Sequence, residues 1–180
     1  MRRLPLLIFA LMAYLFWVLL LQHYGPAGGV QGASNKPMPA LTLGALDGDA
    51  VWQPEALIGK VTVLNFFASW CTPCAREMPE LAALKKQFPA LRLEGVAWND
   101  TPKNLHGWLR EHRNPFDHVW LDKTGNATMA LGIRGIPETF VIDAQGIVRY
   151  RLVGGLSAER RTHELAPLLT TLLAEAAGAH

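Results

Sequence analysis

Two cysteines, Cys71 and Cys74, are the only ones in the chain, and they sit together in Trp70-Cys71-Thr72-Pro73-Cys74 directly after the apolar run Val61-Thr62-Val63-Leu64-Asn65-Phe66-Phe67. A structural disulfide stabilises mostly by closing a long loop in the unfolded chain, and a pair separated by two residues closes almost none. The pair therefore serves chemistry or metal binding, and the chain around it must hold a strand, a tight passage and a helix in that order.

The flanking pattern agrees. Apolar stretches of strand length alternate with helical ones: Val61 to Phe67, Cys74 to Phe88, Leu91 to Ala97, then Asn104 to His112. Such alternation implies a βαβ crossover with parallel strands at the centre of an α/β sheet. Thr139 to Ile142 and Ile147 to Leu152 flank Asp143-Ala144-Gln145-Gly146 and read as a hairpin at the sheet edge. Glu159 to Ala174 closes the chain as an amphipathic helix, with Leu165, Leu168, Leu169 and Leu172 at helical spacing. Ahead of the main unit, Leu41-Thr42-Leu43 and Val51-Trp52 flank the turn signal Asp47-Gly48-Asp49 and predict a small N-terminal hairpin. The 180 residues, half of them hydrophobic, suffice for one well-packed domain plus an extra segment.

That segment is the N-terminus. Arg2 and Arg3 precede the uncharged run Leu4 to Leu21, whose 18 residues would rise about 27 Å as a helix, close to a hydrocarbon core of about 30 Å. Residues 1–24 are thus expected to be a membrane-anchor helix, or a signal segment that is cleaved; the run exceeds the usual signal core of about 7–15 residues. Residues 25–39, rich in Gly, Pro and small polar side chains, read as a tether. The globular domain is expected over residues 40–180, with the arginines cytoplasmic and the remainder exported. Setting Arg2 and Arg3 aside leaves 15 basic residues against 15 acidic ones, a balance that disfavours a nucleic-acid role.

A thiol attacks a disulfide only as thiolate, so the first cysteine needs a device favouring negative charge. A helix beginning at or just after Cys71 supplies one, because the unpaired N–H groups of its first turn point toward the sulfur. Pro73 suits that turn. The terminus is worth up to about 2 kcal/mol, enough to lower a thiol pKa by roughly 1.5 units. On this reading Cys71 is the exposed nucleophile and Cys74 the buried resolver, a redox-active pair that needs no cofactor. The metal alternative would add His106 and His112, but these lie six apart, outside the usual zinc gap of about three to five residues.

With these features on the page, the chain resembles the thioredoxin superfamily. Pro79 follows Cys74 by five residues, where thioredoxins kink their active-site helix, and Gly132-Ile133-Arg134-Gly135-Ile136-Pro137 is similar to the segment that carries a cis-proline. The resemblance implies a thioredoxin-like fold, a central mixed sheet flanked by helices. It also implies a cis Ile136–Pro137 bond opposite the cysteines, with the Ile136 backbone pairing to substrate. Pro137-Glu138-Thr139-Phe140-Val141-Ile142-Asp143 and Gly146 to Arg151 are more selective, and Gly95-Val96 through Asp100 and Asn114-Pro115-Phe116 agree with them. Over residues 40–172 they resemble the thiol:disulfide interchange proteins of cytochrome c maturation, the DsbE/CcmG type. Thr72-Pro73 reverses the order common in those proteins, and Phe67 stands where several have Trp.

This resemblance implies a single-pass bacterial inner-membrane protein with a periplasmic catalytic domain. Its electron acceptor would be apocytochrome c, at the haem-attachment cysteines, or a haem-ligation partner. Its donor would be a membrane thiol reductant. Asn65 stands six residues before Cys71, where thioredoxins carry a buried aspartate that handles the resolving thiol's proton. Glu138, beside the cis-proline, is the expected substitute, because a partly buried carboxylate near thiols has its pKa raised and relays a proton. Trp70 is expected to cover one side of the site and, with Thr72, Pro73, Ile136 and Pro137, to meet substrate. Trp52, Trp98, Trp108 and Trp120 read as core or groove wall, Asn99 and Asp100 as groove border, and Arg76 and Glu77 as solvated first-turn residues. Two other functions fit the residues: a general exported disulfide reductase or oxidase, the direction set by reduction potential, and a non-catalytic binding module for unfolded or haem-free partners.

Overall fold

A computed structural model of the chain describes residues 11–17, which are helical, and residues 32–178. The strands are β1 (Gly32–Pro37), β2 (Leu43–Ala45), β3 (Val51–Trp52), β4 (Thr62–Phe67), β5 (Arg92–Trp98), β6 (His118–Asp122), β7 (Glu138–Ile142) and β8 (Ile147–Val153). The helices are α1 (Thr72–Gln87), α2 (Pro102–Glu111), α3 (Asn126–Ala130), α4 (Ala158–Arg160) and α5 (Ala166–Gly178), the last two joined by a π turn over Arg161–Leu165. Among the described residues the strands form one sheet in the order β1-β8-β7-β4-β5-β6-β2-β3. β4, β5 and β6 run parallel, as the crossover pattern requires, and the other pairings are antiparallel.

β4 is apolar almost throughout because both its faces are covered; all six of its residues are buried. Val63 and Phe67 face a core shared with Met78, Leu81 and Leu84 of α1, Leu105 and Leu109 of α2, and Leu165 and Leu169 of the C-terminal helices. Leu64 and Phe66 face the opposite core, with Trp52, Leu57, Val96, Phe140 and Ile142. Phe67 stacks between Phe116 and Trp108, ring centroids 5.0 and 5.4 Å away. A Cβ on Gly95 would lie 2.9 Å from both phenyl rings, so only glycine lets this stack form beneath β5.

Three expectations change. Gly32–Pro37, placed in the tether, is an edge strand antiparallel to β8, with an irregularity between Ala33 and Lys36. Its ladder uses backbone groups and its side chains stay largely outside, so no hydrophobic pattern announces it. The β7–β8 hairpin is in consequence not at the edge. The small hairpin is present as β2–β3, but it extends the sheet from β6.

The third correction concerns location. Among the described residues no helix is long and apolar enough to cross a membrane, which overturns the expected single-pass inner-membrane anchoring. Of the Leu4 to Leu21 run, residues 11–17 are described, a helical length of about 10 Å against a hydrocarbon core of about 30 Å; the rest of that run and residues 25–31 of the expected tether lie outside the described residues.

Candidate active site

Cys71 is the N-cap of α1. Its backbone is extended (φ −94°, ψ 100°) and its sulfur accepts the backbone N–H of Cys74 at 3.2 Å. Pro73 occupies the first turn, where a missing N–H costs no helical bond. The helix therefore starts where the sequence required, and the Cys74 N–H, which also donates to the Cys71 carbonyl at 3.1 Å, is aimed at the expected nucleophile. Cys71 and Cys74 form a disulfide, S–S 2.02 Å. Cys71 keeps a 5% opening to solvent and Cys74 has none.

The chain brings Ile136–Pro137 against this sulfur. The Ile136 carbonyl oxygen lies 3.8 Å from Cys71 Sγ, and the Ile136–Pro137 bond is cis. Thr72 and Pro73 are exposed next to Cys71. Trp70 is 57% exposed; its indole N–H donates to the Asn99 carbonyl at 3.2 Å, and its ring lies 6.0 Å from that of Trp98. Asp100 accepts from the backbone N–H groups of Ser69 (2.6 Å) and Thr101 (2.7 Å). Asn99 and Asp100 thus brace the segment that enters the cysteines.

Glu138 does not reach the thiols. It pairs in register with Phe66, and residues opposite each other in a ladder share a face. That face is the one holding Phe66 and Phe140, whose rings meet edge-on at 5.8 Å, and its core contains neither cysteine. There Arg151, lying over the Phe140 ring, binds Glu138 Oε2 through Nε (2.9 Å) and Nη2 (2.7 Å). Burial raises the Glu138 pKa and the Arg151 guanidinium opposes the rise. A period of two in β7 decides the matter, since Thr139, one residue on, faces the cysteine side.

The carboxyl on the cysteine side is Glu77, expected to be solvated and in fact 1% exposed. It follows Cys74 by three residues, so α1 turns both inward on one face with Met78, Leu81 and Leu84. Asn65 Nδ2 donates to Glu77 Oε1 (2.9 Å) and to Thr139 Oγ1 (3.0 Å), while the Leu156 N–H donates to Glu77 Oε2 (2.7 Å). Burial pushes the Glu77 carboxyl up from 4.5 to about 7, against the pull of the Leu156 N–H, the Asn65 amide and the Arg160 charge. Asn65 Oδ1 is buried with no hydrogen-bond partner among the described residues. Helix arithmetic from Cys74 was the available signal for Glu77; its cover, the Gly154–Leu156 segment, comes from nearly eighty residues downstream.

An acid poised near neutrality, one turn from a buried sulfur whose neighbour caps the helix, is equipment for moving protons and electrons through a thiol pair. Comparison with known proteins agrees. The AhpC/TSA family model matches residues 35–151. The thiol:disulfide interchange protein HelX of Rhodobacter capsulatus is 34% identical over 83% of this chain and 84% of its own length. The thiol:disulfide interchange protein DsbE of Escherichia coli is 35% identical over 96% and 95%. Among solved structures, a thiol:disulfide interchange protein of the thioredoxin family from Chlorobium tepidum superposes with a TM-score of 0.63 at 28% identity, over 78% of this chain and 98% of that one. The chain belongs to the DsbE/HelX thiol:disulfide interchange proteins of the AhpC/TSA family, thiol:disulfide oxidoreductases of thioredoxin-like fold.

Proposed function

We propose that this protein reduces a disulfide in a partner of cytochrome c maturation, the haem-attachment cysteines of apocytochrome c or the thiols of a haem-ligation protein. The observation that carries the reading is Cys71 at the N-cap of α1 with the Cys74 N–H on its sulfur. The resemblance of Pro137 to Asp143 to the cytochrome c maturation branch supports the choice of partner.

In the reduced protein the Cys71 thiolate attacks one sulfur of the partner's disulfide. A Cys71–partner bond forms, and the other partner sulfur leaves as thiolate and takes a proton. Cys74 then gives its proton to the Glu77 carboxylate and attacks Cys71 Sγ, breaking the mixed disulfide and releasing the second partner thiolate. Two electrons pass to the partner and the Cys71–Cys74 disulfide remains, to be reduced again by a dithiol donor. Trp70, Thr72, Pro73 and the Ile136–Pro137 backbone line the approach to Cys71 and hold the guest. The helix terminus favours charge on Cys71 in the first step, and Glu77 removes the proton that would stop the second.

The test uses an oxidised peptide carrying Cys-x-x-Cys-His, the haem-attachment pattern. A Cys74→Ser variant should accumulate a mixed disulfide through Cys71, and reduced wild-type protein should convert the peptide to its dithiol in preference to a Cys-x-x-Cys peptide of scrambled flanks. Equal rates with both peptides would remove the cytochrome c assignment. An adduct formed through Cys74 when Cys71 is replaced would reverse the two cysteine roles.

A further inference from the structure

The contact on Glu77 that comes from farthest along the chain is a backbone one. The Leu156 N–H donates to Glu77 Oε2 at 2.7 Å, and the carbonyl of the same peptide unit, that of Gly155, accepts from Arg160 Nη1 at 3.2 Å. A cation, a peptide dipole and a carboxylate are thereby arranged head to tail. We infer that Arg160 is a positioning residue for the redox pair, acting through the Gly155–Leu156 peptide to set the proton affinity of Glu77. The inference rests on Glu77 being the proton acceptor of the proposed mechanism and adds the group that governs it.

The geometry of Arg160 is fixed on all sides. Its Nη1 also donates to the Val153 carbonyl (3.0 Å), and its Nε donates to Glu164 Oε1 (3.0 Å), a carboxylate held in turn by the Tyr150 hydroxyl (2.7 Å). Its own backbone N–H caps onto Ser157 Oγ at 3.2 Å. The guanidinium therefore clamps both ends of the Gly154–Leu156 segment. That segment also touches the other half of the site, since the Gly154 N–H donates to the Pro137 carbonyl at 3.0 Å. A β-carbon on Gly155 would stand 3.9 Å from both Glu77 Oε2 and Pro137.

Bonds to charged groups at both ends polarise a peptide and strengthen one another. With the cation present, the Leu156 N–H is a better donor to ionised Glu77 than an ordinary amide; without it, burial acts on Glu77 with less opposition. The other charged neighbours do not substitute. Arg76 and Glu80, on the helix of Glu77, line the same cleft of about 400 Å³ that opens beside it, and Glu80 is bound to Arg161 at 2.9 Å. β4 and β7 present the neutral Asn65 and Thr139, and Glu138 with Arg151 lies across the sheet.

The experiment is a carboxyl ¹³C titration of Glu77 in the full-length oxidised protein, assigned by its disappearance in Glu77→Gln, for wild type, Arg160→Gln and Arg160→Lys. The Arg160→Gln midpoint should rise by about one unit, tenfold in proton affinity, and Arg160→Lys, which keeps the charge and a donor for Gly155, should recover at least half of that rise. An unmoved midpoint in Arg160→Gln overturns the inference. So does an equal rise in both variants, which would assign the effect to the shape of the loop. The pH profile of peptide reduction is followed in parallel: a midpoint that moves while the rate profile stays fixed upholds Arg160 as governor of Glu77 and refutes Glu77 as the proton acceptor.

Discussion

Glu77 and Glu138 sit at the same end of the sheet, 1% and 2% exposed, on opposite faces, and their partners differ in kind. Glu138 is held by two nitrogens of one guanidinium. Glu77 is held by a side-chain amide and a backbone N–H, and the Arg160 cation stands one peptide away. A directly paired buried carboxylate has its charge answered by one cation and ties strands together, whereas for one received by neutral donors burial meets less opposition. Burial alone therefore does not make a proton carrier; what matters is the formal charge of the groups that receive the carboxyl, and which core it opens into.

The largest expected effect breaks the Glu77 side of this comparison. Glu77→Gln keeps the shape and an acceptor for Leu156 but removes the titration, and it should slow disulfide transfer to the peptide about 100-fold at neutral pH. Stability should move the other way. Because the folded pKa of about 7 lies above the unfolded value near 4.5, the folded protein binds the Glu77 proton more tightly. That stabilisation is complete below about pH 4.5 and is lost as pH rises through about 7, a difference of about 3 kcal/mol. Urea unfolding of the oxidised protein at pH 5 and pH 8 checks it: relative to wild type, the Gln variant should gain up to that amount at the higher pH. A constant difference between the two proteins across this range would mean that Glu77 does not titrate there.

The Glu138 side gives the converse. Glu138→Gln leaves Arg151 without its charge partner, though the guanidinium still donates to the carbonyls of Leu131 (3.1 Å) and Gly132 (2.9 Å). The expected cost is about 2 kcal/mol of folding stability, with the pH profile of peptide reduction unchanged. A shifted profile with intact stability would put Glu138 back among the proton-handling groups and erase the contrast between the two faces.

That contrast also shows what the sequence made legible. The run Val61 to Phe67, the cysteines at a helix start and the hairpin around Asp143 to Gly146 are local patterns, and each element forms, although β1 covers the hairpin and takes the sheet edge from it. Asn65, placed by the resemblance where thioredoxins carry a buried aspartate, is itself buried. Its partner was misplaced because Glu138 lies near Pro137 in sequence, while sheet alternation turns it to the far face. Glu77 looked solvated because first-turn glutamates usually are, and the Leu156 N–H that buries it arrives through tertiary folding. β1 escaped for another reason: an edge strand pairs through backbone groups that every sequence possesses.

The smallest predicted effect isolates the link between the strands on the thiol face. Thr139 faces Asn65 in register, and its hydroxyl accepts from the Asn65 amide at 3.0 Å while the same nitrogen donates to Glu77 at 2.9 Å. Thr139→Val preserves the branched shape and leaves one buried amide proton unpaired. It should therefore cost about 1–2 kcal/mol of stability. The Glu77 bond uses the other amide proton, so the carboxyl titration should keep its midpoint to within a few tenths of a unit. A midpoint displaced as far as in Arg160→Gln would mean that Asn65 pivots when Thr139 lets go, and that the neutral cradle of Glu77 is set from the sheet as much as from the loop.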